Sequence, residues 1–217
     1  MLAEDANADY KKSNSLLDSL TLKGDLRLRY DHTYDSASNG RSAEDRVRYR
    51  FRFGGVADLK NNFKMGFRMA TGHNMTSSNQ TFSNDFTRDD FGLDQAYIGW
   101  QQEGDWEENS GFTIYAGKNP NFEKTGWKLS KALFDSDISP EGFETHYGVE
   151  MGSTTLGLHG GAYFLEGEDD PSKQMSKLIM GQVTTTTALG DTLGMDLGLG
   201  VYGMDSSDLT GPGTGHG

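Results

Sequence analysis

The chain has no cysteine, only 4 prolines and no basic excess: 20 Lys and Arg stand against 32 Asp and Glu, for a net charge of −12. Without thiols there is no disulfide framework and no Cys-ligated metal site to read, a pattern that fits an exported chain but is common in cytosolic ones too. The acid excess argues against nucleic acid as a partner, because phosphate binding draws on clustered cations. Hydrophobic residues make up 34% of the 217, fewer than a two-sided soluble core of that size ordinarily uses. No run approaches the roughly 18 consecutive apolar residues of a spanning helix. If the chain sits in a membrane, closed strands are the remaining way to satisfy its backbone.

Chemistry-bearing motifs are scarce as well. The 5 histidines are dispersed, with no pair at helical spacing, so no zinc site is expected. The segment Gly111 to Lys118 ends in Gly-Lys but lacks the spacing and hydroxyl of a phosphate loop. His146 and His159 fall on neighbouring expected strands, yet the sequence places no serine beside them, as a barrel hydrolase would need. No catalytic residue, cofactor or metal is expected. The opening Met-Leu-Ala-Glu-Asp has neither a basic leader nor an apolar core. Either a leader has been removed or the reading frame begins downstream of one.

What the chain does have is alternation of period 2, in segment after segment. Leu20, Leu22, Leu26, Leu28 and Tyr30 share one face; Lys23, Asp25, Arg27 and Arg29 share the other. Val47, Tyr49, Phe51 and Phe53 alternate with Arg46, Arg48, Arg50 and Arg52. A helix would scatter those arginines, whereas a strand puts them in one column. Phe63, Met65, Phe67 and Met69 alternate with Lys64, Gly66, Arg68 and Ala70. Ala96, Ile98 and Trp100, then Phe112, Ile114 and Ala116, repeat the pattern. Phe143, Tyr147, Val149 and Met151 oppose Glu144, His146 and Glu150, and Leu156, Leu158, Ala162 and Phe164 oppose Thr155, His159 and Tyr163. An eighth segment, Leu178 to Leu189, is Thr-rich and its facing is open. The ninth sets Leu193, Met195, Leu197, Leu199 and Val201 against glycines, Asp196 and Tyr202.

The connections add a second regularity. Long ones cover about 35–44, 72–92, 119–142 and 166–176, and short ones fall near Asp58–Asn62, Gly152–Ser153 and Gly190–Asp191, with Gln102–Gly111 intermediate. Transmembrane barrels combine tight periplasmic turns with long outer loops in this way. Several segments reach the ~9–11 residues that a tilted strand needs to cross hydrocarbon. Aromatics near segment ends (Tyr30, Tyr34, Trp100, Trp106, Phe112) suit interfacial girdles.

The expected fold is all-β: an antiparallel up-and-down transmembrane β-barrel with about nine strands present, an incomplete part of a larger barrel of about 16–18 strands. The expected divisions are an N-terminal periplasmic segment over 1–19, strands and loops over 20–205, and a Gly-rich loop or truncation point over 206–217.

Six strings, in order, resemble the bacterial putative porin family. They are Gly24-Asp-Leu-Arg-Leu-Arg-Tyr30, Arg46-Val-Arg-Tyr-Arg-Phe-Arg52, Gly66-Phe-Arg-Met-Ala-Thr-Gly72, Leu93-Asp-Gln-Ala-Tyr97, Gly117-Lys-Asn-Pro120 and Asp135-Ser-Asp-Ile-Ser-Pro-Glu-Gly142. The resemblance covers about residues 20–150. It implies a large outer-membrane barrel, surrounded by lipid, that passes small hydrophilic solutes or ions without a covalent step. It also implies a final strand ending in an aromatic, which this chain, ending in Gly217, does not show.

Arg27, Arg29, Arg46, Arg48, Arg50, Arg52 and Arg68 are the candidate pore-lining residues, since they share the polar faces of three consecutive strands. Toward lipid, each would cost roughly 2–4 kcal/mol at mid-membrane, so this face is expected to meet water. Two readings stay open: a positive wall that biases permeating anions, or arginines neutralised by neighbouring acids. The third long loop, 119–142, is a candidate constriction loop, with Glu123, Asp135, Asp137 and Glu141 as its acids and Trp127 and Phe134 as its aromatics. The rival functions are an outer-membrane barrel hydrolase and a small plugged structural or adhesive barrel. Assembly as a homotrimer is left open.

Overall fold

The computed structural model describes residues 19–33, 44–72, 77–82, 88–102, 111–130, 134, 137–166, 176–190 and 192–205. The expected end segments, 1–19 but for Ser19 and 206–217, lie outside them, as do Tyr34 and Trp106. The architecture is all-β and antiparallel. Its strands are β1 (Leu20–Thr33), β2 (Glu44–Asp58), β3 (Phe63–Thr71), β4 (Gln80–Thr81), β5 (Phe91–Gln101), β6 (Gly111–Lys118), β7 (Glu141–Met151), β8 (Thr154–Glu166), β9 (Ser176–Ala188) and β10 (Gly194–Asp205). Strand order follows chain order, β1-β2-β3-β5-β6-β7-β8-β9-β10, with β4 paired to β2 and with β1 and β10 at the two ends. All nine expected strands are present. The tenth, β4, is a two-residue strand inside the second long connection that extends the β2 ladder where β3 stops, pairing Arg48 with Thr81 and Tyr49 with Gln80.

By contacts the chain divides into two compact units, Met1–Ala96 and Tyr97–Gly217. In the first, β1 and β2 pair over their length, Leu20 with Ala57 through Thr33 with Glu44. This register sets Leu26 beside Phe51 on one face and Arg27 beside Arg50 on the other. β2 turns tightly into β3 through Asn61 (φ 59) and Asn62 (φ 63), closed by Leu59 N–H to Phe63 O at 2.7 Å. Two consecutive left-handed residues match a hairpin turn whose twist suits the flanking strands, and Asn tolerates that region better than other side chains with a Cβ. In the second unit, β7 and β8 are joined by Gly152 and Ser153, and β8 and β9 pair from Thr154 with Thr187 to Glu166 with Ser176, with one irregularity between Phe164 and Glu166. In each unit the long connections leave from one end of the strands and the short ones from the other.

The apolar face is turned outward in both units. Leu26 is 67% exposed and Leu199 80%, while Val47, Phe51 and Leu197 are also exposed rather than gathered into a core. In water each such residue would forgo roughly 1.5–3 kcal/mol of burial. The buried cluster lies instead on the opposite side of the second unit, where Phe122, Trp127, Tyr163, Leu178 and Met180 meet, with Leu129, Phe134 and Ile138 packed against them.

The Asn61-Asn62 turn yields a direct expectation. Asn62→Val must hold a β-branched side chain at φ 63 and should cost about 1–2 kcal/mol, whereas Asn62→Gly should be neutral or stabilising. The urea midpoint of the lipid-refolded chain measures both; equal midpoints for the two variants would remove the turn from the account.

Candidate functional site

Two groups of polar side chains lie opposite the exposed apolar face, one in each unit. In the first unit all the candidate arginines fall on one face, because β1 and β2 keep parity through fourteen paired positions and β3 continues it, with Gly54 beside Arg68. They are interleaved with acids. Asp25 meets Arg50 (Nη2 to Oδ1, 2.9 Å) and Arg52 (Nε to Oδ2, 2.7 Å). Asp31 meets Arg29 at 2.7 Å and Arg48 at 3.8 Å. Arg68 pairs with Asp94, and Arg27 donates to the Asn79 side chain. Arg48 also donates to the Asn79 carbonyl at 3.2 Å. The Nε atoms of Arg46 and Arg48 are buried and have no hydrogen-bond partner among the described residues. Each carboxylate of β1 therefore bridges two guanidiniums, which lets like charges such as Arg27 and Arg50 stand directly across from each other.

In the second unit the connection from β6 to β7 folds back over the polar face of β7, β8 and β9. Its base is closed by Asn119 N–H to Pro140 O at 2.8 Å, with Asn119 and Pro140 both buried. A single 3-10 turn, Phe122–Thr125, ends at Gly126 in the left-handed region (φ 95), and Trp127 N–H returns to Phe122 O at 3.0 Å. This tight turn lays both aromatics against the strands. Phe122 stands edge-on to Trp127, Phe134 and Tyr163, with ring centroids 6.1, 5.2 and 5.3 Å away.

Polar contacts fix the same segment. The Glu144 side chain is fully buried, and its Oε2 accepts from Trp127 Nε1 (2.8 Å), Tyr163 Oη (2.9 Å) and Thr125 Oγ1 (3.2 Å). Gln182 on β9 bonds both backbone groups of Lys128, accepting from its N–H and donating to its carbonyl, each at 2.9 Å. Lys128 Nζ reaches Asp196 of β10 at 3.3 Å. His146 and His159, expected on adjacent strands, meet at 2.7 Å between their Nδ1 atoms, and His159 Nε2 lies 2.9 Å from Thr184 Oγ1. One ring of the pair donates and the other accepts. The hydroxyl beside His159 belongs to Thr184 of β9, not to a serine.

Glu123 is exposed on the 3-10 turn, Asp137 is half-buried, and Asp135 lies outside the described residues. Glu141 belongs to β7 rather than to the loop, which spans 119–140, because Lys118 and Glu141 form a cross-strand pair and an ion pair that close the β6–β7 ladder. The residues that hold the loop, Glu144, Gln182 and Tyr163, are strand residues. Their sequence signal was position: each occupies the polar parity of β7, β8 or β9. Among the described residues no group of three or more His, Asp or Glu is placed to hold a metal ion.

Residues 29–206 match the model of a family described as putative porin. Neither a curated protein nor a solved structure matches the chain. Matched over most of its length, this chain belongs to the putative porin family.

Proposed function

We propose that the chain forms part of the wall of a passive pore for small hydrophilic solutes or ions in the bacterial outer membrane, with the arginine face of β1–β3 turned to water and the apolar face to lipid. The carrying observation is the separation of the two faces. Phe51 and Phe53 are exposed on one side of β2, while Arg50 and Arg52 on the other share Asp25. Hydrocarbon is the medium in which the first face is stable, and an aqueous channel is the medium that accepts the second. Seven guanidiniums share their face with the pairing acids Asp25, Asp31 and Asp94, so ion pairing and a positive wall operate together. Such a wall favours permeating anions without any covalent step. The aromatic segment docked on β7–β9 narrows the bore as a constriction loop.

Electrical recording from the protein that contains this chain, reconstituted in a planar bilayer, should show stepwise conductance with anion preference. Arg48→Gln with Arg50→Gln should move the reversal potential toward cations. A conducting double variant with an unmoved potential would count against the positive wall, and a folded but silent chain against the pore.

The lipid face makes a separate expectation. Leu158 is 54% exposed on β8, and Leu158→Arg should lower stability in bilayers by about 2–4 kcal/mol if it lies near the membrane midplane. Thr184→Ser, on the other face of β9, should change it far less. Urea unfolding in lipid vesicles compares the two, and equal losses would remove the assignment of faces.

A further inference from the structure

The segment over β7–β10 is held by two kinds of contact with different consequences. Its aromatics rest on Tyr163, Leu178 and Met180, a contact that is non-directional and leaves a loop free to slide. Its hydrogen bonds are directional and converge on two strand residues. A buried carboxylate is tolerated only when well supplied with donors. Glu144 takes three, from a loop hydroxyl, a loop indole and the β8 phenol, all on Oε2. Its Oε1 is buried without a partner among the described residues.

The strand ladder does not require that carboxylate, since Glu144 pairs through its backbone with Gly161. The glycine instead makes room. A Cβ at Gly161 would lie 2.4 Å from the Tyr163 hydroxyl, whose ring fills the space and points its oxygen at Glu144. At the far end of the segment, Gln182 grips the Lys128 backbone, and a Cβ at Gly198 of β10 would lie 3.2 Å from the Lys128 Cβ.

We propose that Glu144 is the positioning residue of the constriction: its carboxylate, seconded by Gln182, holds the loop in one place across β7–β10 and thereby sets the width of the bore. This rests on the pore reading above. It assigns the setting of the bore to a strand carboxylate outside the loop, distinct from the candidate arginines.

The absence of native cysteine permits a direct test. In the full chain, Lys128→Cys with Gly198→Cys brings two Cβ atoms close to disulfide distance, within a few tenths of an ångström of relaxation. With Glu144 in place the pair should cross-link readily on mild oxidation, and its oxidised and reduced forms should conduct alike. Adding Glu144→Ala should slow cross-linking about tenfold or more, as expected for the loss of bonds to a charged acceptor, and change the single-channel conductance of the reduced form. Oxidation should then restore the conductance seen with Glu144 present. Adding Glu144→Gln, which keeps the side-chain volume, should give the same pattern more weakly and guards against a folding defect in the alanine variant.

Cross-linking at an unchanged rate with either variant, failure of the disulfide to restore conductance, or no cross-link with Glu144 present would each overturn the assignment. A chain that is electrically silent throughout would end the pore reading, while the cross-linking rates would still decide whether Glu144 places the loop.

Discussion

A strand commits every side chain to one of two sides, and here the two sides differ sharply in polarity. The pairing of Leu26 with Phe51 and of Arg27 with Arg50 is therefore more than a local preference. Slipping β1 against β2 by one residue would exchange the faces, which on the proposed pore reading turns guanidiniums toward hydrocarbon at a cost of roughly 2–4 kcal/mol each. Register and facing are therefore tied to one another. The arginine column would be self-repelling if it stood alone. Asp25 and Asp31, at the same parity on β1, each reach two arginines, so the charge that marks the polar face is also stitched into the sheet.

The second unit uses the same alternation to a different end. Its polar face is not left open but serves as the floor for a folded-back connection, and the floor is shaped by contrasts of size. Tyr163 lies over Gly161, and the His159 ring lies over Gly157, where a Cβ would come within 2.7 Å of the His159 Nε2. Rings laid over neighbouring glycines give the wall a flat aromatic surface, and Phe122 and Trp127 dock against it edge-on or tilted. Leu178 and Met180 extend this surface onto β9.

That arrangement explains what could be read from residues alone and what could not. β1, β2, β3 and β10 were legible because each has one apolar face and one polar face, and because turns such as Asn61-Asn62 carry residues suited to left-handed geometry. β9 was not. Ile179 and Val183 are exposed on its outer side while Leu178 and Met180 are buried on its inner side, so both parities read as apolar and period 2 disappears. The docked loop makes the inner face apolar, and a loop's landing place is a tertiary fact. β4 escaped for a related reason: two residues carry no period, and they pair only because β3 ends early. Among the site residues, the arginines announced themselves by repetition. Glu144 did not, since one acid on the polar side of a strand has no pattern to distinguish it from a solvated neighbour such as Glu150, which remains exposed.

The contrast between Glu144 and the acids of the loop turns on desolvation. Glu123 is exposed on its 3-10 turn, where a charge is screened within a Debye length of about 8–10 Å. Glu144 is removed from water and its Oε2 takes three oriented donors, so any displacement of Trp127 or Thr125 strips the buried carboxylate of partners. A surface carboxylate tolerates many loop positions at nearly equal energy. A buried one accepts few, because its cost is offset only in the geometry that supplies its bonds. Buried polar networks contribute little net stability compared with a well-packed apolar contact, yet they discriminate sharply between nearby arrangements. In a sheet otherwise held by non-directional packing and strand ladders, that discrimination is what a loop needs if it is to stop at one position.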